Sequence, residues 1–193
     1  MDVKLYRIAI AAEGATGTWS ICHRCCTGEF IGDYVRNNSY RFWKTTFKTS
    51  AYEEPIKLQI WNRRRGTFCF PENMADRFSQ IKGLILVYDI TRKRTFEELP
   101  KWLNTANQYS SNFPVAIVGN KVDLIGKDTE ERSQYYTYEE IIDPRAGLLF
   151  AESISDEYDV PTLFIETSAK TGHNINRLFS EFSEMVANHW RVE

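Results

Sequence analysis

At 193 residues, 42% of them hydrophobic, the chain is long enough for one domain with a full core and too short for two comfortable ones. A formal charge of −2, with no long block of like charges, excludes a broad electrostatic footprint for nucleic acid and leaves no solvating tail. No apolar stretch is long enough to span a membrane and Met1–Leu5 has no secretory core, so the expected compartment is the cytoplasm.

Leu5–Ala11 alternates and is rich in apolar residues, which predicts a buried first strand. It runs into the loop Ala12-Glu13-Gly14-Ala15-Thr16-Gly17-Thr18-Trp19, with a helix predicted beyond. Cys22, Cys25 and Cys26, with His23 among them, fall in that helix, where the three thiols cannot all face one ion. Together with Cys69 they read as reduced, partly buried thiols. Tyr40–Lys48 and Ile56–Trp61 predict a strand pair joined by the polar turn Thr49–Pro55. The continuous apolar runs Gly83–Tyr88, Val115–Val118 and Thr162–Ile165 have the pattern of central parallel strands. Phe96, Leu99, Trp102, Leu103 and Ala106 give a helical stripe with Pro100 near its start. The last stripe is the clearest: Ile175, Leu178, Phe179, Phe182, Met185, Val186 and Trp190 share one face, with Asn174 placed to cap it. Packing against a sheet is the favoured use of that face over partner binding. Strands alternating with helices predict an α/β, doubly wound, mostly parallel sheet with right-handed crossovers.

Two loops at strand ends carry recognition chemistry. Asn120-Lys121-Val122-Asp123 follows Val115–Val118 through Gly119, and Glu166-Thr167-Ser168-Ala169-Lys170 follows Leu163–Ile165. Open α/β sheets place their ligands at such ends. The Asp123 carboxylate can accept two hydrogen bonds from the N1–H and 2-amino edge of guanine, a donor pattern adenine lacks. The Asn120 amide can tie the loops together, the stem of Lys121 can cover the base, and the Ala169 N–H can meet the 6-oxo group.

With these motifs, Lys57-Leu58-Gln59-Ile60-Trp61, Leu86-Val87-Tyr88-Asp89-Ile90-Thr91, Phe96 and Trp102, the chain resembles the Ras superfamily of small GTPases, most closely its Rab-like members, from about Leu5 to Trp190. The resemblance implies a single small GTPase-like domain whose six-stranded sheet has one antiparallel edge strand and helices on both faces. It implies guanine contacts from Asn120, Lys121, Asp123, Ser168, Ala169 and Lys170, with GTP or GDP as the ligand. Between Asp123 and Glu166 the chain is longer than is usual for Rab-like proteins, and 126–144 reads as a surface insertion. Its polar, Glu- and Tyr-rich sequence suits either a tolerated insertion or a docking surface.

The phosphate side departs from the family. A phosphate-binding loop needs G-x-x-x-x-G-K-[ST]: glycines so that backbone N–H groups wrap the phosphates, Lys for charge, Ser/Thr for Mg²⁺. Here Ala12 replaces the first glycine, Thr18 the lysine and Trp19 the metal-binding hydroxyl. Gly14, Thr16, Gly17, Thr18 and Ser20 are what remains to meet phosphate; alternatively, Gly14 and Gly17 only shape a strand-to-helix turn. After Trp61 the family has Asp-Thr-Ala-Gly-Gln, whereas this chain has Asn62-Arg63-Arg64-Arg65-Gly66, without the acidic Mg²⁺ partner or the water-orienting Gln. Each lost transition-state group commonly costs around 2–4 kcal/mol, so intrinsic GTP hydrolysis is expected to be lost, no residue is assigned a catalytic role, and Mg²⁺ is not expected. The arginines read as a solvated or partner-contacting basic turn, or as replacement phosphate contacts. Ser39 is a candidate for the first-switch hydroxyl.

Two functions follow: a non-catalytic protein-binding or scaffold module that binds guanine nucleotide weakly or not at all, and a divergent GTP-binding switch with weak or partner-dependent hydrolysis. The family's effector face corresponds to Val35–Trp43 and Asn62–Phe78, where Tyr40, Phe42, Trp43, Phe68 and Phe70 suit a protein partner, although several must also pack the sheet. The segment His189–Glu193 offers no thiol for prenylation, so either a lipidated tail has been removed or the protein does not carry its own anchor; the expectation is no direct lipid anchor in this chain and recruitment to a membrane or complex by partners.

Overall fold

The computed structural model describes residues 4–32, 41–62, 79–125 and 141–191. In chain order these form β1 (Leu5–Ala12), α1 (Thr18–Thr27), β2 (Arg41–Thr49), β3 (Tyr52–Asn62), β4 (Gly83–Asp89), α2 (Lys93–Glu97), α3 (Leu99–Asn107), β5 (Val115–Asn120), α4 (Pro144–Tyr158), β6 (Thr162–Thr167) and α5 (Ile175–His189). A 3₁₀ turn spans Val122–Leu124. The six strands lie in the order β2-β3-β1-β4-β5-β6, with β2 antiparallel to β3 and every other pair parallel.

Every residue of β4 and β5 is buried, because helices cover both faces of the sheet and leave no side for polar alternation. On one face Ile21 and Cys22 of α1 and Leu178, Phe179 and Phe182 of α5 pack against β1, β3 and β4. On the other, Leu99, Trp102 and Leu103 of α3 meet Ala151 and Ile154 of α4 over β4 and β5. The stripe on α5 is thus core. Gly83 at the start of β4 lets the ring of Phe182 close in, since a Cβ there would lie 2.8 Å from it.

Three expectations about local structure need correction. The turn between β2 and β3 is only Ser50-Ala51, with Thr49 opposite Tyr52, and Pro55 lies inside β3 beyond a register shift between Phe47 and Thr49. Proline is tolerated where the ladder is already irregular. The short turn is anchored by Ser50 N–H donating to Glu184 Oε2 of α5 at 2.8 Å, and by burial of Ala51. The stripe from Phe96 to Ala106 is two helices: Pro100, near the start of α3, has no N–H to continue α2, and the Glu98 N–H closes back on Arg94 and Phe96. Asn174 stands at the cap position of α5 with φ of 56°, but its amide donates to Glu166 O at 2.8 Å instead of capping the helix.

At the far end of α5, Trp190 Nε1 donates to Lys82 O at 2.9 Å while the Lys82 ammonium lies 3.5 Å from the centre of the same ring. This pins the end of the last helix to the start of β4. No helix among the described residues is long and apolar enough to cross a membrane. The expectations for Ser39, Tyr40, Arg63–Gly66, Phe68, Cys69 and Phe70 lie outside the described residues, as does the insertion up to residue 140.

Candidate functional site

The C-terminal ends of β1, β4, β5 and β6 bring four loops together, and buried Asn120 sits at their centre. It is the last residue of β5 and 1% exposed. Its Nδ2 donates to Thr16 O at 2.8 Å, and its Oδ1 accepts from Thr167 Oγ1 and from Ala169 N–H, both at 3.2 Å. One amide thereby joins the loop after β1 to the loop after β6. The Ala169 N–H is engaged by Asn120, so a guanine 6-oxo group would share or displace that bond.

Asp123 lies in the 3₁₀ turn, half-buried, and its Oδ1 accepts from Ser168 Oγ at 2.5 Å. Ser168 Oγ in turn accepts from Thr171 N–H at 3.1 Å, which fixes the direction of its hydroxyl proton toward the carboxylate. The arrangement orients the Asp123 carboxylate through one of its two oxygens. Lys170 is exposed. Lys121 adopts φ of 75° and sends its ammonium to Asp89 Oδ2, 2.6 Å away. Asp89 is 1% exposed and its other oxygen accepts from Thr91 N–H and Oγ1 at 3.0 and 2.7 Å. This anchors the head of Lys121 to the end of β4.

In the loop after β1, Ala15 and Gly17 are both left-handed, with φ of 64° and 98°. Gly17 does more than permit a turn: a Cβ there would lie 2.5 Å from Asn120 Nδ2. The base loop approaches the phosphate-type loop so closely that only hydrogen fits. Thr16 does not present its hydroxyl to a ligand; it is 1% exposed, and Oγ1 donates to Glu13 O at 3.1 Å. Thr18 begins α1, with Ser20 half-buried in its first turn. The Trp19 indole stacks on His23, centroids 4.8 Å apart, and meets the edge of Trp43 at 6.1 Å. An aromatic cluster therefore occupies the side of α1 facing β2. Asn62, where the family has its Mg²⁺-linked Asp, ends β3 with Oδ1 buried and accepting no hydrogen bond among the described residues. Phe42 is 50% exposed beside Trp61, whereas Trp43 packs toward α1, so the aromatics of β2 divide between surface and core.

Two residues here were not singled out from sequence. Arg92 Nη1 donates to Gly14 O at 2.8 Å, and Asp89 holds Lys121. The available signal was position: the acidic Asp89 closes the otherwise apolar β4, and the basic Arg92 follows three residues later, at the ligand end of the sheet. Glu166, at the end of β6, is raised above the usual carboxylate range by burial, with Asp143 adding to the shift and His173 opposing it.

Sequence comparison agrees with this geometry. The Ras family profile matches residues 7–188. Ras-related protein RabF1 of Dictyostelium discoideum is 28% identical over 190 residues, covering 98% of this chain and 87% of that protein. Ras-related protein Rab-30 of Homo sapiens is 30% identical over 93% of this chain and 78% of its own length. Ras-related protein Rab-12 of Mus musculus is 34% identical over 86% of this chain and 66% of its own.

Proposed function

The chain belongs to the Ras family of small GTPases, with Rab-related proteins among its relatives, and on that premise we propose that it is a pseudo-GTPase: a non-catalytic module that docks protein partners. The observation that carries this reading is Trp19. The position that would hold Mg²⁺ through a hydroxyl carries an indole held between His23 and Trp43, and Thr18 before it has no charge for phosphate. Asn62 supplies no carboxylate for a metal-bound water. Without Mg²⁺ and the lysine, the nucleotide would be held chiefly by its base, through Asn120, Lys121, Asp123, Ser168, Ala169 and Lys170. A few hydrogen bonds to charged groups at about 1.5–3 kcal/mol each give micromolar or weaker affinity.

The domain is read as single, with 126–144 as a surface insertion. Partners engage the face built from Val35–Trp43 and Asn62–Phe78, and the insertion adds to it. Location follows those partners, from the cytoplasm to a membrane or a larger complex. Protein purified without added nucleotide, then denatured and analysed by chromatography, is expected to release far less than one GTP or GDP per chain. One nucleotide per chain would overturn the reading. The intact Asn120 and Asp123 contacts favour a second reading, a divergent switch in which nucleotide still gates partner binding. Affinity capture with and without GTP separates the two: capture that depends on GTP supports the switch.

A further inference from the structure

We infer that α1 carries a peroxide-sensitive thiol pair, in which Cys26 is oxidised first and Cys22, one helical turn before it, closes a disulfide onto it. Neither residue takes part in the function proposed above. Cys22, Cys25 and Cys26 are free thiols in three different surroundings. Cys22 is 0% exposed within the core between α1, α5 and the sheet, and half-buried Cys25 packs against that core. Cys26 is half-buried, belongs to neither core cluster, and places its Sγ 4.0 Å from Lys44 O of β2. It is therefore the thiol of the three that a small oxidant reaches first. It is also the readiest to ionise: a hydrogen bond from the Cys25 thiol holds Cys26 below its usual pKa, whereas that same bond and burial push Cys25 up, and burial pushes up Cys22.

Helix geometry selects the partner. Adjacent Cα atoms are about 3.8 Å apart, closer than the roughly 4.4–6.8 Å that a disulfide spans, so Cys25 cannot bridge to Cys26 while α1 stays wound. Residues four apart share a helix face with Cα atoms about 6 Å apart, which puts Cys22 and Cys26 within that span. Cys22 and Cys25 also meet the distance, but neither of them starts as a thiolate. In the first step the Cys26 thiolate attacks hydrogen peroxide, the O–O bond breaks, hydroxide leaves and Cys26 becomes a sulfenic acid. The Cys22 sulfur then attacks the Cys26 sulfur, the S–O bond breaks, and the departing oxygen takes the Cys22 proton away as water. Two thiols lose two electrons between them and one peroxide is reduced to two waters.

The full chain is treated with hydrogen peroxide, its remaining thiols are alkylated, and it is cut with trypsin. Arg24 lies between the two thiols, so a Cys22–Cys26 disulfide joins peptide 8–24 to peptide 25–36, whereas a Cys25–Cys26 bond stays inside the second. Mass spectrometry is expected to find the joined pair, lighter by two hydrogens than the separate peptides, and dithiothreitol to release it. Cys26→Ser removes the attacking sulfur and should slow formation of any joined pair on the order of tenfold or more. Cys25→Ser keeps a donor beside Cys26 and should still give the pair at close to the wild-type rate. The inference is overturned if Cys26 passes to sulfinic acid with no joined pair, or if the bond stays within peptide 25–36 or runs to Cys69. It is equally overturned by a pair that Cys26→Ser forms as fast as wild type, that Cys25→Ser abolishes, or that appears only in urea.

Discussion

Asn120→Ala in nucleotide-free protein separates what the base loops do for the fold from what they do for a ligand. The substitution removes three hydrogen bonds at once, to Thr16 O, Thr167 Oγ1 and Ala169 N–H. Thr16 and Thr167 are at most 1% exposed and Ala169 is 4% exposed, so water does not readily reach the stranded groups. An unsatisfied buried donor or acceptor costs about 1–3 kcal/mol. Two of the bonds are long at 3.2 Å, and water entering the new cavity restores part of the loss. The expected destabilisation is therefore about 3–5 kcal/mol, in the lower half of what three such penalties would give. In a chain of this size it appears as a fall in Tm of roughly 10 °C or more. The control is Asp123→Ala, which removes one bond from Ser168 at a half-buried carboxylate and should cost about 1 kcal/mol. Urea denaturation followed by tryptophan fluorescence gives both stabilities, and a guanosine titration gives both affinities. Asn120→Ala is expected to lose stability without ligand present, whereas Asp123→Ala is expected to keep its fold and lose guanosine. Finding Asn120→Ala within 1 kcal/mol of wild type, or Asp123→Ala equally destabilised, would refute the division of labour.

The double change Thr18→Lys with Trp19→Ser restores a cation and a hydroxyl to the start of α1 and should raise GDP affinity at least tenfold in a Mg²⁺-dependent manner; an unchanged affinity would mean that other residues block the site. Gly147→Ala places a Cβ within 2.2 Å of the Phe164 ring and 2.7 Å of Tyr88 Oη, so urea denaturation should show a loss of about 2–3 kcal/mol. Glu166 has a folded-state pKa above its unfolded value, so its ionisation opposes folding and its contribution declines as pH rises from the ordinary 4.5 through the raised value. Glu166→Gln should therefore raise the urea midpoint at pH 7 more than at pH 4.5, and an equal effect at both values would show that desolvation of the carboxylate is not the cause.

The central strands were legible because their residues are buried on both faces, which leaves an uninterrupted apolar run in sequence. The meeting of the Asn120 and Ser168 loops was legible too, since parallel strands end on the same side. The direction in which side chains leave their loops was not. Thr16 reads as a hydroxyl available for phosphate, yet it is buried and donates to Glu13 O within its own loop. Asn174 reads as a helix cap, but the Glu166 carbonyl competes for the same amide. Trp19 reads as bulk in a metal site; only the position of β2 reveals that His23 and Trp43 hold it. Arg92 and Gly14 are 78 residues apart, with α1, β2, β3 and β4 between them, and no local pattern links them.

The clamp of Trp190 on Lys82 has a practical consequence for how the molecule can be held. The base loops lie at the opposite end of β4 and β5, roughly 20 Å away for strands of this length. A matrix, dye or surface coupled just beyond Trp190 would grip the molecule from beneath the sheet, leaving the nucleotide end pointing outward. The clamp makes the C-terminal side a firm handle for single-molecule or sensor-chip work, with little leverage on the loops being observed.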